Sequence, residues 1–235
     1  MAAILKEIKA KARAGIKTIE LDKLAESLIL DAKGVPSFKG YSAGGSSGSY
    51  PASLCVSIND EVVHGIPTAR ELKDGDIVGL DIGMKYKGLF TDMAETIEIG
   101  KVNEKLFRLI EITRKSLEIG IKQVRAGARV GDIGHAIQKF VEASGFGVVH
   151  ELVGHGVGKK VHEDPEIPNW GRAGTGTELK ENMVIAIEPM VTLGSPEVFL
   201  DKDGWTWKTC DGKPAAHFEH TMVVTKDGPE VLTKI

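Results

Sequence analysis

Between two apolar runs, Ile77-Val78-Gly79-Leu80 and Met93-Ala94-Glu95-Thr96-Ile97, the chain places Asp81-Ile82-Gly83-Met84-Lys85-Tyr86-Lys87-Gly88-Leu89-Phe90-Thr91-Asp92. The pattern predicts two strands joined at Lys87-Gly88, where glycine tolerates a positive φ. A two-residue turn sets the register, with Tyr86 against Leu89, Gly83 against Asp92 and Asp81 against Ala94. Opposed residues share a face, so Asp81 and Asp92 become diagonal neighbours with Cα atoms about 7–8 Å apart. Carboxylates at that separation can straddle a pair of metal ions about 3.5–4 Å apart. A three-residue turn would send one aspartate to the opposite face. A plain hairpin with two solvated aspartates is the competing reading of this stretch.

The rest of the chain has room to build around such a hairpin. Its 235 residues suit one large domain or two tightly joined halves, and 42% hydrophobic with 27% charged residues is ordinary for a soluble globular protein. A net charge of −3 supplies no electrostatic pull toward nucleic acid or an anionic membrane. Cys55 and Cys210 are the only cysteines, which argues against a disulfide framework and fits a reducing cytosol. With no secretory leader and no apolar run long enough to span a bilayer, the expectation is a soluble, cytoplasmic protein.

Residues 2–14 favour helix up to Gly15. Thr18 is placed to cap a second helix carrying Leu21, Leu24, Ala25 and Leu28 on one face and closing near Gly34. Gly40 to Tyr50 is a Gly/Ser-rich loop that cannot bury much, and it is too short for a domain linker. Leu54 to Ile58 reads as a strand, followed by a turn at Asn59-Asp60. His64, just before Gly65-Ile66-Pro67, suits an exposed position on a rigid loop; a lone histidine there is more often structural than catalytic. Asn103 is expected to cap a long helix with Leu106, Leu109, Ile110, Thr113, Leu117 and Ile121 as its core stripe. Asp132 is expected to open another, with Ile133, Ala136, Ile137 and Phe140 inward and His135 on its polar face.

The second half is richer in chemistry. Glycines flank His155 in Gly154-His155-Gly156, allowing close approach of backbone or ligand, and His162 follows before Glu163-Asp164-Pro165. Lys159-Lys160 reads as a solvated turn. The strand Met183 to Ile187 ends in Glu188, which Pro189 holds extended. Phe218 to Val224 reads as a further strand, with Glu219 on the face of His217, Thr221 and Val223. A glutamate in such a run is costly unless it is exposed, paired or bound to metal. Asp81, Asp92, His155, Glu188 and Glu219 together make an oxygen-dominated set, which suits Mn²⁺, Fe²⁺ or Co²⁺ at least as well as Zn²⁺.

These residues carry a resemblance. The succession HGIP, D-x₁₀-D, GHGVG-x₃-H, IEPM and FEHT resembles the methionine aminopeptidases of the type I bacterial pattern, over nearly the whole chain. The resemblance implies the α+β pita-bread fold: pseudo-two-fold antiparallel β-sheets with helices packed on the outer face, in a single catalytic domain over residues 1–235. It implies two divalent ions (Co, Mn, Fe, Zn or Ni), with Asp92 and Glu219 bridging, Asp81 on one ion, and His155 and Glu188 on the other. His64 and His162 would contact the substrate amide, and Glu188 would help position the attacking water. Tyr50, Cys55, Val161 and Trp205 match positions around the methionine side chain. The implied reaction is removal of an N-terminal methionine when the second residue is small, from peptides and nascent chains. The ribosome is a conceivable partner, nucleic acid and membrane are not expected as specific partners, and a monomer is expected. In two respects the chain departs from the pattern. It begins directly in what resembles the family's first helix, and Ser42 to Ser49 is longer and richer in Gly and Ser than usual. The competing readings are an X-Pro aminopeptidase of the same fold, which commonly carries a large additional N-terminal domain, and a non-catalytic binding protein of that fold, in which loss of ligand residues is expected.

Overall fold

The structure, a computed structural model, describes residues 1–42 and 48–234; residues 43–47 of the Gly/Ser-rich stretch before Tyr50 therefore lie outside the described residues. Two helices lead the chain, α1 (Ala2–Lys11) and α2 (Thr18–Asp31), followed by strands β1 (Val35–Pro36), β2 (Leu54–Ile58), β3 (Glu61–Val63), β4 (Ile77–Tyr86) and β5 (Leu89–Glu98). A second helix pair follows, α3 (Glu104–Ile121) and α4 (Val130–Ala143). Shorter strands complete the chain: β6 (Gly147–Val148), β7 (Gly154–Gly156), β8 (Glu163–Ile167), β9 (Val184–Ile187), β10 (Met190–Thr192), β11 (Val198–Leu200), β12 (Trp207–Thr209), β13 (Ala215–His217), β14 (His220–Val224) and β15 (Pro229–Val231).

The two halves repeat one plan, a helix pair packed on one face of antiparallel strands. Leu5, Ile8, Leu21, Ala25 and Ile29 of the first pair bury against Leu54, Val56, Val78, Leu80 and Ile82. Leu109, Leu117, Ile133, Ile137 and Val141 of the second pair bury against Ile185, Ile187, Met222 and Val224. This is the α+β pita-bread arrangement, with helices outside and the other face of the strands turned inward. In a strand successive side chains alternate, so the residues between these apolar ones face the interior of the molecule. On β4 and β5 that inner set contains Asp81 and Asp92; by the same parity Glu188 follows Ala186, and Glu219 precedes Thr221.

The β4–β5 hairpin has the register the two-residue turn requires: Tyr86 opposes Leu89, Gly83 opposes Asp92 and Asp81 opposes Ala94. Lys87 and Gly88 have φ of 48° and 87°, the pair of positive values of a turn whose twist matches the flanking strands. Asn103 caps α3 as expected, its side chain accepting from the Leu106 N–H. Three boundaries differ from expectation. Helix α1 ends at Lys11 rather than running to residue 14. Thr18 is the first helical residue and not the cap; its hydroxyl instead exchanges hydrogen bonds with the Thr68 backbone, while the Glu20 carboxylate accepts from the Lys17 N–H. Helix α4 starts at Val130, two residues before Asp132, whose carboxylate reaches back to the Arg129 N–H. In both helices the acid in the first turn satisfies a backbone donor ahead of it, which shifts the start toward the N-terminus.

Asp22 on α2 is buried, and its Oδ1 accepts from the N–H groups of Ser53 (2.7 Å) and Leu54 (3.0 Å). This bond pair fixes the start of β2, whose next residue, Cys55, stands opposite Asp81. Asp22→Ala leaves two buried donors without an acceptor and is expected to cost about 2–4 kcal/mol in denaturant unfolding, whereas Asp22→Asn, which keeps an acceptor oxygen, is expected to cost about 1 kcal/mol. Equal losses for the two variants would show that the hydrogen bonds are not what holds this junction.

Candidate metal centre

The inner faces of the two halves meet along β5 and the β13–β14 segment. Thr221 Oγ1 donates to the Asp92 carbonyl (2.7 Å) and accepts from the Asp92 N–H (2.9 Å). Thr96 Oγ1 makes the same two-way contact with the backbone of His217, and the Glu219 N–H donates to the Ala94 carbonyl (2.9 Å). The sequence pattern read Phe218 to Val224 as one strand, but the ladder is interrupted at Phe218-Glu219, directly across from Glu188-Pro189. Pro189 has no N–H to donate, so pairing lapses there, and it resumes in the same register beyond. Glu188 and Glu219 thus sit in facing gaps of two paired strands, turned toward Asp92.

His155 arrives from β7, which is wedged between β8 and β9. A Cβ on Gly154 would lie 2.4 Å from the Ala186 carbonyl oxygen, and one on Gly156 would lie 2.3 Å from that of Asp164, so only glycines allow this close approach. Nδ1 of His155 lies 2.9 Å from the Gly156 carbonyl, which can only accept. The proton therefore sits on Nδ1, leaving the lone pair of Nε2, 3.4 Å from Glu188 Oε1, available as a ligand. Asp92, His155 and Glu219 each bring one ligand atom within 4.8 Å of the others. Asp81 adjoins this trio across the hairpin and Glu188 beside His155, so all five residues singled out from the sequence converge.

The electrostatics fit a cation. Burial raises the pKa of all four carboxylates, that of Asp81 to about 7; Asp92, Glu188 and Glu219 are raised further by one another's charge and that of Asp81. Asp81 Oδ1, Asp92 Oδ1 and Glu219 Oε1 are buried without a hydrogen-bond partner, and among the described residues no lysine or arginine pairs with these acids. Bare carboxylates in such a pocket are expensive. A divalent ion supplies the missing counter-charge, and the oxygen-rich donor set with one imidazole suits it.

Around this cluster lies a cavity of about 930 Å³. Tyr50, Cys55 and Trp205 line it, the Tyr50 and Trp205 rings meeting edge to face at 5.3 Å, and the Tyr50 hydroxyl donates to the Gly65 carbonyl (2.9 Å). Val161 joins the same apolar cluster without being among the lining residues. His64 is not the exposed loop residue the sequence suggested. It is half-buried in the cavity wall with φ of 59°, and burial, with a smaller effect of His155, holds its pKa down to about 4. His162 is at the rim, its ring edge-on to that of His155 at 4.4 Å; the surrounding protein and the other two imidazoles hold its pKa down to about 3. Both rings are neutral near pH 7. Sequence reasoning missed Tyr41, whose hydroxyl lies 2.7 Å from His162 Nδ1, and Phe38, which lines the cavity. Alternation put Thr221 on the face of Glu219, but neither its hydroxyl nor that of Thr96 was assigned the bridging hydrogen bonds it makes.

Fold and site define a metal-dependent hydrolase. The sequence model of metallopeptidase family M24 matches residues 1–226, and the chain belongs to that family. Within it the similarity is to methionine aminopeptidases: the enzyme from Clostridium perfringens is 49% identical over 97% of this chain and 89% of its own length, and methionine aminopeptidase 1 from Bacillus subtilis 47% over 97% and 90%. The crystal structure of the methionine aminopeptidase from Thermotoga maritima superposes with a TM-score of 0.95 at 43% identity, covering 100% of this chain and 92% of that one. An Xaa-Pro dipeptidase from Bacillus anthracis shares the fold at 22% identity (TM-score 0.78), the match covering 100% of this chain and 57% of the dipeptidase.

Because the acids repel one another without a cation, Mn²⁺ or Co²⁺ at about 100 times Kd is expected to stabilise the protein by about 2.7 kcal/mol, raising Tm by roughly 5–10 °C for a chain of this size. Glu219→Gln is expected to raise the Tm of the metal-free protein while abolishing most of the metal-dependent increment. An increment of unchanged size in Glu219→Gln would place the cation elsewhere.

Proposed function

We propose that this chain removes the N-terminal methionine from peptides and nascent chains whose second residue is small, using two divalent ions held by Asp81, Asp92, His155, Glu188 and Glu219. The observation that carries this reading is the convergence of those five side chains beside an apolar pocket. A bound divalent cation lowers the pKa of a water and polarises a carbonyl at neutral pH. The remaining roles fall to the chain's own residues. Tyr50, Cys55 and Trp205 make an apolar, polarisable slot that an unbranched thioether fills well, with Val161 packed in the same cluster. His64 and His162, neutral and aimed into the cavity, donate hydrogen bonds to the peptide group as it becomes tetrahedral. Glu188 would take a proton from the attacking water and return it to the leaving amine. Asp92 and Glu219 would bridge the two ions, as their shared position with His155 supports.

The substrate class and the free thiols of Cys55 and Cys210 support action in the cytoplasm. Among the described residues no helix is long and apolar enough to cross a membrane. Asp81, Asp92, His155, Glu188 and Glu219 all come from one chain, and the active form we infer is the monomer.

Two experiments test this reading. With methionine fixed and the second residue varied, Gly, Ala, Ser, Thr, Pro, Val and Cys are expected to permit release, because the second residue would sit between His64 and the loop at Gly154, both of which line the cavity; Met-Lys and Met-Phe cleaved at the Met-Ala rate would remove the steric gate. A slot of this kind discriminates by only about 1–3 kcal/mol per methylene, so leucine and norleucine are expected to be poor but measurable replacements for methionine. His64→Ala and His162→Ala are each expected to keep bound metal and lose on the order of 10²-fold in kcat. Loss of metal from either variant would instead make that histidine a ligand.

A further inference from the structure

Tyr50, Cys55 and Trp205 of the proposed methionine slot belong to one apolar cluster, and the cavity is also lined by Val63 and Trp207 of a separate one. In the small sheet β11-β12-β3, Leu200 stands opposite Trp207 and Trp207 opposite Val63. Opposed residues share a face, and all three line the cavity. Exposure rises along this row, from 3% at Val63 to 44% at Leu200. Val63 immediately precedes His64, so the inner end of the row adjoins the histidine that faces the scissile amide, and the outer end opens to solvent. Adjacent strands lie about 4.8 Å apart, which makes the row about 10 Å long. The loop that also borders the cavity is polar, with Lys159, Lys160, Glu163 and Asp164.

The hairpin bearing this row is braced. The Asp203 carboxylate accepts from the N–H groups of Trp205 and Thr206 (both 2.8 Å) and from the Thr206 hydroxyl (2.6 Å), and Lys208 pairs with Asp201 at 2.9 Å. One rigid hairpin thus presents Trp205 to the methionine slot and Leu200 with Trp207 to the way out.

We propose that the row Val63–Trp207–Leu200 is a subsite for the substrate chain beyond its second residue, taking an apolar side chain at the third or fourth position. The inference rests on the proposed methionine removal, which supplies the occupant: a peptide held at His64 must continue outward, and an extended chain advances about 3.3 Å per residue, so about three residues pass along the row. Leu200, left half-exposed in the free protein, is covered when that chain is in place.

The test uses the metal-loaded enzyme and two peptide series, Met-Ala-X-Ser and Met-Ala-Ser-X, with X either Leu or the similarly sized but polar Asn. At one of the two positions kcat/KM for Leu is expected to exceed that for Asn about five- to tenfold, with the difference in KM. Leu200→Ser, a change at a half-exposed position, is expected to bring that ratio below twofold. A ratio within twofold at both positions in the parent enzyme, or an undiminished ratio in Leu200→Ser, would overturn the proposal. Methionine release in itself reads the activity; only its dependence on the third and fourth residues reads the row.

Discussion

Four carboxylates held together in the interior, with no lysine or arginine paired to them among the described residues, are the constraint around which this molecule is arranged. Each costs free energy to bury, and each raises the cost of the others. The fold nevertheless holds them in place with backbone and side-chain hydrogen bonds: the Thr221 hydroxyl to the Asp92 carbonyl, the Glu219 N–H to the Ala94 carbonyl, and the Asn169 amide to the Glu188 carbonyl. Stability is therefore given up locally so that a cation completes the site. The two helix-backed cores on either side supply the compensating apolar burial.

Much of this was legible in the chain. The β4–β5 register followed from one dipeptide, Lys87-Gly88, because strand side chains alternate strictly and a two-residue turn leaves a single pairing. The glycines beside His155 announced close packing, and Pro189 after Glu188 announced an extended strand end. Less visible was the gap at Phe218-Glu219. It depends on Pro189 in a partner strand about thirty residues away, and no local pattern carries that information. His64 was misplaced at the surface for a similar reason. Its backbone conformation is local, but the walls that bury it come from residues distant in sequence, such as Thr206, whose hydroxyl oxygen lies 3.5 Å from its carbonyl. The true starts of α2 and α4 also escaped, since the acid in the first turn of each binds the donor ahead of it.

The imidazoles show how the same burial serves opposite ends. For the carboxylates it favours the neutral form and so invites a cation to restore the charge. For His64 and His162 it lowers the pKa and keeps the rings neutral, able to donate hydrogen bonds without adding a positive charge beside the ions. Tyr41 on His162 Nδ1 and Gly156 on His155 Nδ1 then orient rings that would otherwise be free to turn. The pocket for the side chain and the wall leading outward are built from one hairpin and its neighbours, so recognition and chemistry share a rigid frame.

The central claim is that these five side chains jointly hold divalent metal. Anomalous diffraction from crystals grown with Mn²⁺ tests it most directly. The account predicts two peaks, both within bonding distance of Asp92 and Glu219, one also bound by Asp81 and the other by His155 and Glu188. Metal bound anywhere but this cluster, or a cluster left empty at saturating Mn²⁺, would contradict it.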